Sequence, residues 1–154
     1  MPGQIPLDTK YYPSDFQVVT MSLVAVGATS KIVMYADRDL IIDSVIVTIG
    51  DGPNSNSTLR LAYVTNLAAP TYTANNSTGT TFNITTVLNV TADTPASGGP
   101  SLRYITGDGT FDFVKSAGVP IQNIVPQGAT IWVTANTLAG MERGSVQIRF
   151  RSQL

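Results

Sequence analysis

The sequence predicts an all-β domain, an antiparallel β-sandwich, on three observations. Short apolar runs alternate inward and outward with period two, the signature of half-buried strands. Clusters of Gly, Pro, Asn, Asp and Ser separate these runs, as turns require. No stretch of ten or more residues carries a helical period, and 9 Pro with 13 Gly interrupt every candidate. A chain of 154 residues suits one domain, read as an extended N-terminal arm over 1–15 and a single sandwich over 16–154.

In the arm, Pro2, Pro6 and Pro13 favour extended backbone. Ile5, Leu7, Tyr11 and Tyr12 give it apolar and aromatic contact area. It reads as a segment that docks on a neighbouring subunit, with a frayed terminus as the alternative. Phe16–Val26 follows as a strand, with Val19, Met21 and Leu23 on one face. Gly27–Ser30 is a turn, and Lys31–Tyr35 a short second strand. Leu40–Ile49 is rich in β-branched residues, with Val45, Val47 and Ile49 on one face and Ile42, Ile46 and Thr48 on the other. Apolar residues on both faces predict a central strand. Gly50–Asn56 is a loop, and Leu59–Val64 a strand.

Residues 66–80 are polar and irregular, and Thr81–Val90 is strand-like with a bulge near Val87. After an open loop over 92–101, Leu102–Ile105 is a short strand, and Phe111 and Phe113 flank Asp112 in another. Ile124–Gly128 turns into the strand Ala129–Ala135. In the closing strand, Val146, Ile148 and Phe150 face one way and Gln147, Arg149 and Arg151 the other. About eight strands with frequent turns imply a sandwich or a barrel, and loops this long and irregular favour an eight-stranded jelly roll.

Composition narrows the function. Charged residues make up 12 %, against about 25 % in ordinary domains. Hydrophobic residues reach 43 %, and mean hydropathy is +0.14. No apolar run approaches the ~18 residues of a membrane span. A charge-poor surface suits a chain that covers itself with neighbours, since interface cores are depleted in charge. Net charge is −1 without a long basic stretch, so electrostatic capture of nucleic acid is not expected. Arg143, Arg149 and Arg151 form the one local basic cluster. Arg149 and Arg151 share a strand face, either bridging to an acidic partner or simply solvated, the plainer reading. Met1–Pro6 lacks the charged and apolar segments of a signal peptide, so synthesis and retention in the cytoplasm, or release by lysis, is expected.

The absence of Cys and His removes thiol nucleophiles, histidine triads and most transition-metal sites. Glu142 is the lone Glu, and the nine Asp sit mostly in turns. Asp37, Asp39 and Asp43 cluster locally, as an acid–base pair or, more simply, as turn formers. Asp51 and Asp108, each between two glycines, are oxygen ligands for calcium or tight-turn residues; neither has a second carboxylate nearby. No catalytic residue, cofactor or metal is assigned. Trp132, between Ile131 and Val133, is read as a core residue; a solvent-facing Trp would instead hint at sugar stacking, with Tyr63, Tyr72 and Tyr104 as alternative platforms.

Three segments carry a resemblance. They are the Asp39–Ile49 strand with its acidic opening, the Val125-Pro126-Gln127-Gly128 entry into Ala129–Val133, and the Ser145–Phe150 closing strand. Together with the length, the missing cysteine and the arm, this pattern resembles the small jelly-roll decoration (cement) proteins of tailed bacteriophage capsids. The resemblance spans residues 16–152 and is one of architecture, without an invariant motif. It implies a non-enzymatic virion protein on the capsid surface, bound over junctions between copies of the major capsid protein and associating with itself as a homotrimer or homodimer. Contacts are expected from Ile5, Leu7, Tyr11 and Tyr12 in the arm, from loops near Asn54, Asn75 and Gly98, and from Arg149 and Arg151. The runner-up is a carbohydrate- or receptor-binding domain of a phage tail or fibre, and a third reading is a cellular adhesin or pilin-like subunit.

Overall fold

The structure is a computed structural model that describes residues 16–24, 29–66, 81–96 and 98–153. Among the described residues the regular structure is all β. The strands are β1 (Gln17–Ser22), β2 (Thr29–Tyr35), β3 (Leu40–Ile49), β4 (Ser57–Val64), β5 (Thr81–Asn83) and β6 (Leu88–Val90). They continue with β7 (Leu102–Ile105), β8 (Lys115–Ser116), β9 (Val119–Pro120), β10 (Ile124–Val125), β11 (Thr130–Ala135) and β12 (Gly144–Ser152). Every pairing is antiparallel.

Two five-stranded sheets form the body. In sheet A the order is β1-β12-β3-β10, with β7 also on β3. In sheet B it is β2-β11-β4-β5, with β6 also on β4. The alternation read from sequence places the core. Val45, Val47 and Ile49 of β3 and Val146, Ile148 and Phe150 of β12 meet Leu59, Leu61 and Tyr63 of β4 and Ile131 and Val133 of β11 in one cluster. Two antiparallel sheets sharing one core make a β-sandwich. Each fully buried Leu, Ile or Val in that layer contributes about 1.5–3 kcal/mol.

Several local expectations are corrected. The first strand is shorter than expected and ends at Ser22; the Leu23 N–H adds one last bond in the same register, to the carbonyl of Gly144 at the start of β12, at 2.9 Å. The second begins at Thr29, inside the expected turn, because its backbone pairs with Ala135 at the end of β11. Ile42 does not share a face with Ile46 and Thr48. Arg149 pairs with Ser44 and Phe150 with Ile42, so Asp43 is the extra residue of a β-bulge. The bulge shifts the phase, and Ile42 joins Val45 in the core.

The expected Thr81–Val90 strand is split. β5 and β6 both pair with β4, and residues 84–87 bridge the interval. There the Ile84 and Thr85 N–H groups donate to the Leu61 carbonyl at 2.9 and 3.2 Å, while the Leu61 N–H donates to Thr85 Oγ1 at 3.0 Å. A side-chain hydroxyl thus stands in for a ladder acceptor. Phe111–Phe113 is not a strand; only a single bridge joins Phe113 to Thr85, and Phe111 is buried in the core. The β8–β9 hairpin has no counterpart in the sequence reading. Its Ala117-Gly118 turn has φ of 50° and 81°, a pair that tight hairpins favour but Ala rarely adopts.

Candidate interaction surface

The outer face of sheet A is organised by register. Arg151 lies opposite Ile41, and Ile41 opposite Ile124. Gln17 pairs with Phe150, so Phe16, one residue earlier, lies level with Arg151. The row across the sheet therefore reads Phe16, Arg151, Ile41, Ile124. The Arg149 guanidinium stands 4.2 Å from the Phe16 ring centroid and that of Arg151 6.0 Å. Arg151 Nε also donates to Asp43 Oδ1 at 3.2 Å, an ion pair the bulge makes possible by turning Asp43 outward. Both contacts are partly exposed, and each contributes about 0–1 kcal/mol. Asp43 Oδ2 is buried without a hydrogen-bond partner among the described residues. Arg149 and Arg151 are thus brought together as expected, on Phe16. Arg143 is separated from them, its Nη2 donating to the Gly50 carbonyl at 2.9 Å.

Further along this face lies a shallow depression of about 380 Å³. Thr20, Ser145, Gln147, Thr48, Ser101 and Arg103 surround an Ile46 floor. A second depression, of about 210 Å³, is lined by Asn56, Ser57, Thr58, Asn89, Val90, Thr91 and Asn136. Their hydroxyls, amides and single guanidinium suit hydrogen bonding to a polar partner. Neither lining contains a carboxylate.

Sheet B overturns the reading of Trp132. Ile131 and Val133 are core residues, so Trp132 between them points out from the opposite face, half-buried. Its Nε1–H donates to Thr130 Oγ1 at 2.8 Å. Ile32, its partner on β2, is 49 % exposed, and Tyr35, opposite Thr130, is 58 % exposed. The three form an apolar platform across the edge strand β2 and its neighbour β11. Sequence reasoning missed Tyr35 because it lies at a strand end beyond a register shift in β2. Of the expected aromatic platforms, Tyr63 is buried and stacked on Phe82, ring centroids 4.9 Å apart, with its hydroxyl pKa raised by burial. Tyr104 packs against the core, and Tyr72 lies outside the described residues. β4 is buried on both faces, Arg60, Ala62 and Val64 included.

Asn54 is exposed at its loop tip, its N–H donating to the Ala139 carbonyl at 2.9 Å and its side chain against Gly140. Ile5, Leu7, Tyr11, Tyr12 and Asn75 lie outside the described residues. Asp37, Asp39 and Asp43 do not converge. Asp37 pairs with Arg38, whose hydrogen bond lowers its pKa; Asp39 accepts from the Gln127 N–H at 2.8 Å; Asp43 pairs with Arg151. Asp108 serves its own turn. Its carboxylate accepts from the Phe111 and Thr110 N–H groups, each at 2.9 Å, and from the Ile105 N–H at 3.2 Å, and these bonds lower its pKa. Among the described residues no group of three acidic, His or Cys side chains is placed to hold a metal, and no helix is long and apolar enough to cross a membrane. Compared with protein-family models, curated proteins and solved structures, the chain matches none.

Proposed function

We propose that this chain is a structural, non-enzymatic virion protein that binds the outside of a phage capsid, stabilises contacts between major capsid subunits, and associates with itself as a trimer or dimer. The observation that carries this reading is the exposed apolar surface. Ile32, Tyr35, Val18, Ile105, Ile121, Ile124 and Val119 are all more than a third exposed, in a chain that is only 12 % charged. Such side chains gain about 25 cal/mol per Å² when a neighbour covers them. Contacts of about 800 Å² per partner, repeated over a symmetric shell, make dissociation rare.

The strand order supports an eight-stranded jelly roll. β5 and β6 lie along one edge of β4, and β7 and β10 along one edge of β3, so each pair counts as one interrupted strand. With β8–β9 an excursion between β7 and β10, the sheets read first-eighth-third-sixth and second-seventh-fourth-fifth. That is one long hairpin, first strand on eighth and fourth on fifth, rolled once so that eighth also meets third and seventh meets fourth. Viral capsid domains commonly use this architecture.

The contacts assigned to this role are the arm residues Ile5, Leu7, Tyr11 and Tyr12, the Asn54 and Asn75 loops, Arg149 and Arg151, and the Ile32–Tyr35–Trp132 platform. Quantitative mass spectrometry of gradient-purified particles tests it. Copies in simple proportion to the major capsid protein sustain the proposal, and absence from particles ends it.

One observation favours a second reading, a carbohydrate- or receptor-binding domain of a tail or fibre. Trp132 and Tyr35 lie on one outer face, where aromatic rings can stack on a sugar. A glycan array without signal removes it.

A further inference from the structure

We infer that the depression on the outer face of sheet A is a binding site for an acidic sugar, a hexose unit that carries one carboxylate. Arg103 holds the carboxylate, and Thr20, Thr48, Ser145 and Gln147 take the hydroxyls over an Ile46 floor. The site lies on the opposite sheet from the Ile32–Tyr35–Trp132 platform and stands apart from both functional readings.

Strand register builds the site. Val45, Val47 and Ile49 point into the core, so Ile46 and Thr48 of β3 point out. Thr20, Gln147 and Ile46 lie in one row across β1, β12 and β3. Ser145, Thr48 and Arg103 lie in the next row, across β12, β3 and β7. Neighbours in a row are about 4.8 Å apart and the rows about 7 Å apart, the scale of one sugar ring with its substituents. The volume of about 380 Å³ falls among small-molecule sites, which span roughly 300–1,000 Å³.

Unspent hydrogen-bonding capacity singles out this depression. Among the described residues Arg103 makes no ion pair, and the side chains of Thr20, Thr48, Ser145 and Gln147 make no hydrogen bond within the chain. In the second depression Asn56 Oδ1 accepts from the Ala92 N–H at 2.8 Å and Ser57 Oγ from the Thr137 N–H at 3.0 Å, so those groups already hold loops together. The lining around Arg103 contains no carboxylate to compete for it. A guanidinium fork meets a carboxylate through two parallel bonds, and its one charge balances a carboxylate better than a doubly charged phosphate. Hydroxyls and an amide both donate and accept, as a polyol requires. Ile46 offers an apolar seat for the C–H face of the ring. Further along the same face Arg149 and Arg151 outnumber Asp43, and their field attracts an anion.

NMR titration of the isotope-labelled full-length chain with sodium D-glucuronate tests the site, with D-glucose as the neutral probe and sodium acetate as the sugar-free one. Glucuronate is expected to shift the backbone amides of Thr20, Thr48, Arg103, Ser145 and Gln147. It is expected to bind at least about 10-fold more tightly than either control, because a charge-assisted pair and neutral hydrogen bonds act together. Arg103→Gln, at an exposed position, brings glucuronate down to the glucose level, whereas Trp132→Leu leaves it unchanged. Glucuronate that shifts nothing at roughly 50 mM, far above a ~1 mM affinity, overturns the inference. Glucose or acetate binding as tightly as glucuronate overturns it, and so does a loss of binding in Trp132→Leu instead of Arg103→Gln. An Arg103→Gln chain that loses a protein partner while glucuronate leaves the wild-type site untouched also overturns it and assigns the face to protein contact. The capsid reading is judged separately by copy number in particles, so the two fail independently.

Discussion

Replacing Thr85 with valine tests whether one hydroxyl holds the split between β5 and β6 together. Thr85 is 1 % exposed, and its Oγ1 is the acceptor for the Leu61 N–H at 3.0 Å. Valine keeps the shape and removes the acceptor. Leu61 sits opposite Val133 on one side, while its carbonyl already faces Ile84 and Thr85 on the other. Its N–H points the same way as that carbonyl, so in Thr85→Val it meets a methyl group. A buried donor without a partner costs about 1–3 kcal/mol. For a chain of this size that lowers Tm by roughly 2–10 °C. Urea unfolding is expected to show a lower midpoint with an unchanged slope, because the surface exposed on unfolding is the same. Amide hydrogen exchange localises the effect, with the Leu61 N–H losing protection relative to its β4 neighbours. A Thr85→Val protein within about 0.5 kcal/mol of wild type, with Leu61 still protected, refutes the reasoning, since a surface-like substitution gives no more than that.

Three further outcomes follow from the packing and the charges. Gly52→Ala places a Cβ 2.5 Å from the Thr94 nitrogen and 2.6 Å from its carbonyl oxygen, both backbone, so two loops must part; a loss of about 1–3 kcal/mol in denaturant unfolding is expected. Ile148→Ala empties a fully buried site between the sheets and is expected to cost about 2–5 kcal/mol, measured in the same way. The Asp108 carboxyl has its pKa lowered by the Phe111 and Thr110 N–H groups, so its contribution to stability is full above the unfolded carboxylate value of about 3.9 and lost as pH falls through the lower folded value; Asp108→Asn is expected to flatten acid unfolding in that range, checked by pH-dependent thermal melts.

How much was legible in the sequence depended on whether a strand kept its phase. β12 alternates without interruption in the segment read, and Val146, Ile148 and Phe150 are its inward residues, as the pattern predicts; β4 is a strand as expected, but it is buried on both faces, which its alternation does not announce. β3 kept its length, but the bulge at Asp43 moved Ile42 to the other face. A bulge is set by pairing with β12 more than 100 residues away, so no local pattern announces it. Trp132 was misplaced for a related reason. Three apolar residues in a row look buried, yet in a two-layer sandwich the middle one points away from the core. The β8–β9 hairpin escaped because two-residue strands have no periodicity. Arg149 and Arg151 were legible as a shared face; their meeting with Phe16 depends on the β1–β12 register, which a single sequence does not carry.

The two functional readings meet on the same platform, and the chemistry of its side chains separates them. A protein surface that covers Ile32, Tyr35 and Trp132 gains from apolar area of any shape. A sugar ring gains from a flat π face and makes little use of Ile32. Ile32→Ser removes about half a buried side chain's worth of area, on the order of 1 kcal/mol or fivefold in affinity per site. Trp132→Leu keeps most of the apolar character and loses the ring. Both positions are at least partly exposed, so both variants are expected to fold. In a decoration protein, Ile32→Ser lowers occupancy on particles and Trp132→Leu leaves it nearly unchanged. In a sugar-binding domain the order reverses, with glycan binding lost in Trp132→Leu and retained in Ile32→Ser. If neither variant changes occupancy or glycan binding, the platform is not the contact, and only the arm, the loops and the arginine face remain as contact surfaces.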